Sequence, residues 1–115
     1  MATFSKLKLS GSTNGRGIKV VQTATAGDTI HTAHATALDE VWLYAYNGHT
    51  ADVLLTVELG GATVPDDTIV VTVPFKAGLV LVVPGLILTG GVVVKAFAAT
   101  TAVIVITGYV NRISA

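Results

Sequence analysis

The chain has 115 residues, a length that fits one domain. Seven basic and seven acidic side chains give a net charge of zero, and charged residues make up only 12% of the sequence, about half of the ~25% typical of soluble domains. Hydrophobic residues reach 51%, more than a domain that buries only about two-thirds of its unfolded surface can place inside. This composition predicts self-association, and the lack of a Lys/Arg run argues against a nucleic-acid partner.

The chain contains no cysteine, which excludes disulfides, thiolate metal ligands and Cys nucleophiles. The first residues show no apolar stretch of the signal-peptide kind, so we expect a protein made in a cytoplasm. The uncharged segment between Lys76 and Lys95 approaches the length of a membrane-spanning helix. Turn residues at 84–85 and 90–91 interrupt it, and we therefore expect no membrane partner.

The first half of the chain contains five strand-like segments separated by turn residues. They cover residues 4–9, 16–23, 29–33, 39–47 and 52–59. Residues 10–15 consist of Ser, Gly, Thr and Asn and predict a flexible loop. Residues 52–59 alternate most clearly. The alternation predicts Val53, Leu55, Val57 and Leu59 inside and Asp52, Thr56 and Glu58 outside.

The second half continues with strands predicted over residues 69–73, 79–83, 86–88, 92–98 and 102–110. The last strands are apolar on both faces, and no helical segment is present to cover a second apolar face. We therefore expect residues 79–110 to supply much of the core and of a subunit interface. Together the segments predict an all-β chain, a single-domain antiparallel β-sandwich over residues 1–115 that is jelly-roll-like with about eight or nine strands.

The three histidines are candidate ligands of a zinc site. His31 and His34 are three residues apart, a spacing that puts them on opposite faces of a strand. A metal would need His49 to converge on them, with Asp28 or Asp39 orienting one ligand. Histidines that make ordinary hydrogen bonds at the surface or at an interface are the favoured interpretation.

Two other segments show a superficial chemical pattern. Asp66 and Asp67 follow Pro65 and could contribute, with Thr63, to a calcium site, but a type I turn explains them better. Residues 11–17 are rich in glycine, yet they lack the Gly-Lys-Ser/Thr ending and the following helix of a phosphate-binding loop. We therefore predict no catalytic, cofactor-binding or metal-binding residue, and we expect a protein that is not an enzyme.

An aromatic stripe is predicted on the strand over residues 39–47. Trp42, Tyr44 and Tyr46 fall on one face of this strand, and the other face is aliphatic. The stripe has three possible roles: part of the core, a subunit interface, or a stacking platform for a ligand. The absence of basic residues around it favours core or interface.

Six segments resemble small structural proteins of tailed bacteriophages that decorate or cement the capsid. The resemblance extends over residues 6–113. The segments are LSGSTNGR (9–16), DTIHTA (28–33), DEVWLYA (39–45), PDDTIVV (65–71), LVLVVPGL (79–86) and GYVNRI (108–113).

The resemblance implies a β-sandwich that forms a homo-oligomer, namely a homotrimer. On the virion surface this trimer would clamp subunits of the major capsid protein. The resemblance implies no catalytic residues. It also makes residues 1–17 a candidate extended N-terminal arm and loop that reaches neighbouring subunits. Two alternatives stay open. One is another virion component, a head–tail connector or tail protein. The other is a virion-surface, lectin-like module that binds a host glycan through Trp42 and Tyr44.

Overall fold

The computed structural model describes residues 2–114 and is all-β, with nine strands in two antiparallel sheets. Sheet A has the order β1-β9-β4-β7, with β2 also paired to β9, and sheet B has the order β3-β8-β5-β6. The predicted single-domain β-sandwich is confirmed. The strands are β1 (Thr3–Lys8), β2 (Ile18–Val20), β3 (Asp28–Thr32), β4 (Leu38–Asn47), β5 (Val53–Leu59), β6 (Thr68–Val73), β7 (Val80–Leu88), β8 (Val93–Ala98) and β9 (Ile104–Ser114).

The strand pairing is nested. Strand β5 pairs with β6, β4 with β7, β3 with β8, and β1 and β2 both pair with β9. This is one long hairpin whose tip lies at residues 60–67, rolled up so that successive pairs fall in alternate sheets. Such a double-sheet wrap is the jelly-roll arrangement. Among residues 2–114, no helix has the length and apolar character that crossing a membrane requires.

Strict alternation in β4 decides which side of sheet A packs against sheet B. Val41, Leu43 and Ala45 are fully buried, whereas Trp42 and its even-numbered neighbours lie on the opposite face. In an antiparallel sheet directly opposed residues share a face, so the residues of β9 opposite Val41 and Ala45 point inward as well, and they are also buried.

The core between the sheets is aliphatic. The buried hydrophobic side chains are all Val, Leu, Ile or Ala, and none of the seven aromatic residues, all of which the structure describes, is among them. Branched aliphatic side chains suit the pleated faces of a two-layer core. The prediction that segment 79–110 contributes strongly to the core is consistent with the burial of Val83, Val94, Ile104, Ile106 and Val110.

Strand β5 differs from its prediction on its outer face. Val53, Leu55 and Val57 are buried as expected, but Thr56 and Glu58, predicted to be outside, are only 8% and 3% exposed although they point away from the core. The segment before β3 folds over the outer face of sheet B, where the Thr25 hydroxyl and the Gly27 N–H both donate hydrogen bonds to the Glu58 carboxylate. Alternation predicts the face of a sheet, but it cannot predict that a distant loop covers that face.

Residues 79–88 also differ from the prediction, because one strand replaces two strands and a turn. Strand β7 runs through Pro84 and Gly85, and the register against β4 shifts at this point. A bulge absorbs the extra residue, and proline is tolerated because β7 is the edge strand of sheet A. Within residues 1–17, Thr3–Lys8 pair with β9 along their whole length, and Met1 lies outside the described residues.

Candidate interaction surface

The outer face of sheet A collects most of the aromatic residues. Outward positions of β4 are opposed by outward positions of β9, which are opposed in turn by those of β1. Five of the seven aromatic side chains therefore share this face. Aromatic side chains are usually buried in a core or in an interface, so their concentration on an outer face is unusual. We call it the aromatic face. Its aromatic members are Phe4, Trp42, Tyr44, Tyr46 and Tyr109.

Trp42 is held in place from three sides. Its Nε1–H donates a hydrogen bond of 2.7 Å to Oε1 of Glu40, and its ring lies 6.2 Å from the Tyr109 ring at an interplanar angle of 14°. On β7, Gly85 lies directly against the indole, since a Cβ at this position would come within 2.8 Å of it. Trp42 therefore belongs to an ordered outer surface and not to the core. This excludes one of the two roles that the sequence favours for the aromatic stripe.

Polar groups border the Trp42–Tyr109 pair. Asn111 Nδ2 donates a hydrogen bond of 3.0 Å to the same Glu40 oxygen that accepts from Trp42. These two hydrogen bonds, that from Trp42 first, lower the pKa of Glu40, so its side chain is a carboxylate at neutral pH. Lys6 Nζ lies 5.2 Å from the Tyr109 ring centroid, within cation–π range. Sequence patterns give no sign of Glu40, Tyr109 and Asn111 as neighbours, because their contact depends on the β4–β9 register.

A side chain at position 85 is expected to displace the indole. Gly85→Ala should lower the free energy of unfolding by about 1–3 kcal/mol, because the new Cβ collides with Trp42 and the backbone φ of +77° disfavours any residue but glycine. Trp42 is the one tryptophan of the chain, so its fluorescence emission reports the displacement. Gly78→Ala is the control, because its φ is similar and its Cβ meets no atom within 4 Å. An unchanged emission in Gly85→Ala would contradict the described contact.

A second exposed region lies along β7 and beside it. Leu79 is 61% exposed, and Leu81 and Ile87 are each about half exposed. Leu81 is opposite Tyr44 in the β4–β7 pair, so the apolar edge continues the aromatic face. Because several large apolar side chains are exposed along a free strand edge, this region has the character of a contact surface.

The structure brings two of the sequence candidates together, His31 and Asp39, in a buried network. Asp39 is fully buried, and its carboxylate accepts hydrogen bonds of 2.7 and 2.9 Å from Arg112 and lies 2.8 Å from His31 Nε2. The Ser10 N–H donates to His31 Nδ1 at 3.0 Å. Since a backbone amide can only donate, the ring proton of neutral His31 is on Nε2 and is donated to Asp39. This network joins β3, β4 and β9 to the loop after β1.

Acid should weaken this network. Burial raises the pKa of Asp39, but hydrogen bonds from Arg112 and His31 together with the charge of Arg112 lower it, and the net result is a fall from 3.8 to about 2. Because the pKa of Asp39 is lower in the folded protein than in the unfolded chain, its ionised form stabilises the fold by about 2 kcal/mol. This stabilisation is complete above about pH 4 and is lost as pH falls to about 2. Urea unfolding between pH 2 and pH 5 should show the stability gap between the wild type and Asp39→Asn narrowing toward low pH. A gap that stays constant with pH would contradict the assignment.

The other histidines do not converge on His31. His34 Nδ1 accepts hydrogen bonds from the backbone N–H groups of Thr36 and Ala37, and His49 follows the far end of β4. In the described chain, residues 2–114, no three His, Asp or Glu side chains are grouped to hold a metal ion. Within residues 2–114, the three histidines therefore lack the convergence that a zinc site would need.

The remaining candidates take part in local turns. Asp67 Oδ2 accepts the Thr63 N–H at 3.2 Å within the loop at the hairpin tip. In the glycine-rich segment the Gly11, Ser12 and Arg16 N–H groups all donate to backbone carbonyl groups. Those amides are engaged within the fold and do not form the cradle of free N–H groups that a phosphate requires. Asp28, the alternative to Asp39 as a carboxylate beside a histidine, accepts hydrogen bonds from the backbone N–H groups of Val21 and Gln22.

Comparison with known proteins gives no relative for this chain: no protein-family model, no curated protein and no solved structure matches it.

Proposed function

We propose that this chain is a capsid decoration, or cement, protein of a tailed bacteriophage. It is made in the host cytoplasm, and in the virion it sits on the capsid surface as a homo-oligomer bound to the shell of major capsid protein. The observation that carries the proposal is the placement of five aromatic side chains on one outer sheet face while the core contains none among the described residues. The sequence resemblance to phage decoration proteins and the jelly-roll fold agree with it.

A rigid sheet face suits a binding role on physical grounds. Tryptophan and tyrosine supply large contact area at a small cost in side-chain entropy, and they dominate the binding energy of many interfaces. Trp42 is fixed before any partner arrives, by Glu40, Gly85 and Tyr109. A surface ordered in advance loses less entropy on binding. Catalysis needs none of these features, and the proposal assigns no catalytic residue, metal, cofactor or nucleic-acid partner.

The apolar edge along β7 is the proposed contact between copies, with a trimer as the expected assembly. Leu79, Leu81 and Ile87 are exposed there, within the segment 79–110 expected to supply a subunit interface. Leu81→Asp places a charge in this contact and should shift the protein from trimer to monomer in native mass spectrometry. Val70→Asp, an equally exposed apolar site on the outer face of sheet B, is the control and should stay trimeric. Equal masses for the wild type and Leu81→Asp would exclude this edge as the contact.

Shell binding tests the proposal itself. Purified protein is mixed with undecorated expanded capsids and, separately, with unexpanded precursor shells of the phage that encodes it, and both are sedimented. Decoration predicts co-sedimentation with expanded capsids alone. Equal binding to both shells, or binding to neither, would reject it. Trp42→Ala should weaken co-sedimentation, and Phe75→Ala, which removes an exposed aromatic ring outside the aromatic face, should not.

A lectin-like role is the second candidate, favoured by the ordered Trp42–Tyr109 pair and its polar neighbours Glu40 and Asn111. Stacking faces beside a few fixed polar groups are typical of small-ligand sites. A glycan array decides: binding that Trp42→Ala abolishes favours this role, and an empty array favours decoration. A ring of higher symmetry in native mass spectrometry would favour the connector or tail alternative.

A further inference from the structure

The positive charges of this chain are concentrated near its N-terminus. Four of the seven basic residues precede the first acidic one, Asp28, and all four are exposed: Lys6, Lys8, Arg16 and Lys19. In the sequence they are spread over fourteen residues and form no run. This spacing is the reason that the sequence shows no Lys/Arg run.

The fold brings three of these residues into one row. Strands β1 and β2 lie end to end along the same side of β9, and their lysines occupy outward positions at the margin of the aromatic face. The row extends along residues 105–111 of β9, six residue steps or about 20 Å. The sequence has no Lys/Arg run, but the folded chain places three lysines in one row. The pairs that define this lysine row are Lys6 with Asn111, Lys8 with Tyr109, and Lys19 with Val105.

Within residues 2–114, no acidic side chain forms an ion pair with a lysine of the row. Glu40 lies on the same face and lines a hollow together with Lys6, and its Oε1 accepts hydrogen bonds from Trp42 and Asn111. The ion pair of the described chain joins Asp39 to Arg112, and neutral His31 donates a hydrogen bond to the same carboxylate. Arg16 adds to the positive charge, because it lines the same hollow as Val105, next to Lys19.

We propose that the lysine row binds an acidic segment of the capsid shell protein, placed alongside the aromatic contact; this inference rests on the proposed decoration function. The chemistry is that of an interface with an aromatic centre and a charged rim. The partner that complements it has apolar groups facing Trp42 and Tyr109 and carboxylates facing the lysines. Rim charges of this kind speed association and fix orientation more than they add affinity, and salt screens them.

A protective role for the same lysines must be separated from this one. Strands β1 and β2 form an edge of sheet A, and charged side chains on edge strands prevent unwanted pairing with other chains. Either sign of charge serves protection, whereas binding to an acidic segment requires a positive charge. Lys8→Glu combined with Lys19→Glu therefore keeps the edge charged while it reverses the charge that the partner meets. Lys6 is left in place in this variant because of its contact with Tyr109.

The experiment measures the affinity of the wild type and its variants for expanded capsids between 50 and 500 mM salt. The neutral variant Lys6→Gln/Lys8→Gln/Lys19→Gln should bind about tenfold more weakly at low salt, since each exposed charge contact contributes a fraction of a kcal/mol. The difference should vanish at high salt. The charge-reversed variant should bind more weakly still. Lys76→Gln/Lys95→Gln, which removes two positive charges outside the row, is the matched control and should bind as the wild type does.

Each outcome has a distinct meaning. If neither salt nor the substitutions in the lysine row change binding to the capsid, the lysine inference is overturned and the decoration function is retained. A wild type that binds no shell overturns both. If the wild type binds duplex DNA at physiological salt and the row variants do not, the lysine row is a nucleic-acid contact. That result would equally overturn the proposal. Circular dichroism and urea unfolding confirm that each variant is folded before its binding is compared.

Discussion

Asp39→Ala is expected to lower the free energy of unfolding by about 3 kcal/mol. Removing one partner of a buried ion pair typically costs about 3–5 kcal/mol, because the remaining charge is left without compensation. The low end applies here because Arg112 is 26% exposed and regains contact with water. His31 is 1% exposed, and it would lose the acceptor for its Nε2–H. The effect should appear in urea unfolding at neutral pH and equal protein concentration.

Asp52→Ala is the matched control for this variant. Asp52 is exposed and accepts one hydrogen bond, from the Phe75 N–H at 3.2 Å. Its loss should cost less than about 1 kcal/mol. Arg112→Ala should resemble Asp39→Ala, and the double variant should cost less than the sum of the two single ones, because both residues belong to one interaction. Strict additivity of the two substitutions would show that Asp39 and Arg112 do not interact in solution.

Leu55→Ala is expected to have a comparable effect, about 2–5 kcal/mol. Leu55 is 0% exposed at the centre of β5, and its truncation leaves a cavity between sheets that cannot easily move together. Thermal and urea unfolding measure the loss, again at fixed protein concentration because a self-associating protein gains stability by mass action.

The adjacent residue supplies a direct comparison. Leu54 has the same side chain on the same strand but is 48% exposed on the other face. Leu54→Ala should therefore change the free energy of unfolding by less than about 1 kcal/mol. A loss in Leu54→Ala equal to that in Leu55→Ala would mean that β5 is covered on both faces in solution. That result would place a contact between copies on sheet B and not along β7.

The alternation within strands was predictable from the sequence. In β4, Val41, Leu43 and Ala45 repeat every second residue, and this is enough to place Trp42 and Tyr44 on the opposite face. The turn residues between strands likewise predicted a sandwich of eight or nine strands. Both signals are local, because side-chain direction in a strand and backbone conformation in a turn depend on neighbouring residues.

Contacts between distant strands were not predictable in this way. Arg112 reaches Asp39 across 73 positions of sequence, and no local pattern encodes the register that joins them. Lys8 and Lys19 become neighbours in one row only because β1 and β2 share the same side of β9. The composition anticipated apolar surface outside the core, but the aromatic face depends on the same long-range register.

The core and the surface of the sandwich differ in composition and in proposed role. Aliphatic residues fill the space between the sheets, a buried ionic network joins three strands to the first loop, and the aromatic residues remain outside. A protein that stabilises a shell needs a rigid body and a large ordered contact surface. The aromatic face, the lysine row at its margin and the apolar edge along β7 are the surfaces that we propose for these contacts.

Electron cryomicroscopy of expanded capsids incubated with the purified protein shows whether and how the protein binds the shell. We predict density for the sandwich on the outer capsid surface, with Trp42 and Tyr109 against the shell and the β7 edges of neighbouring copies in contact. Undecorated shells, or bound copies whose aromatic face points to solvent, would contradict it.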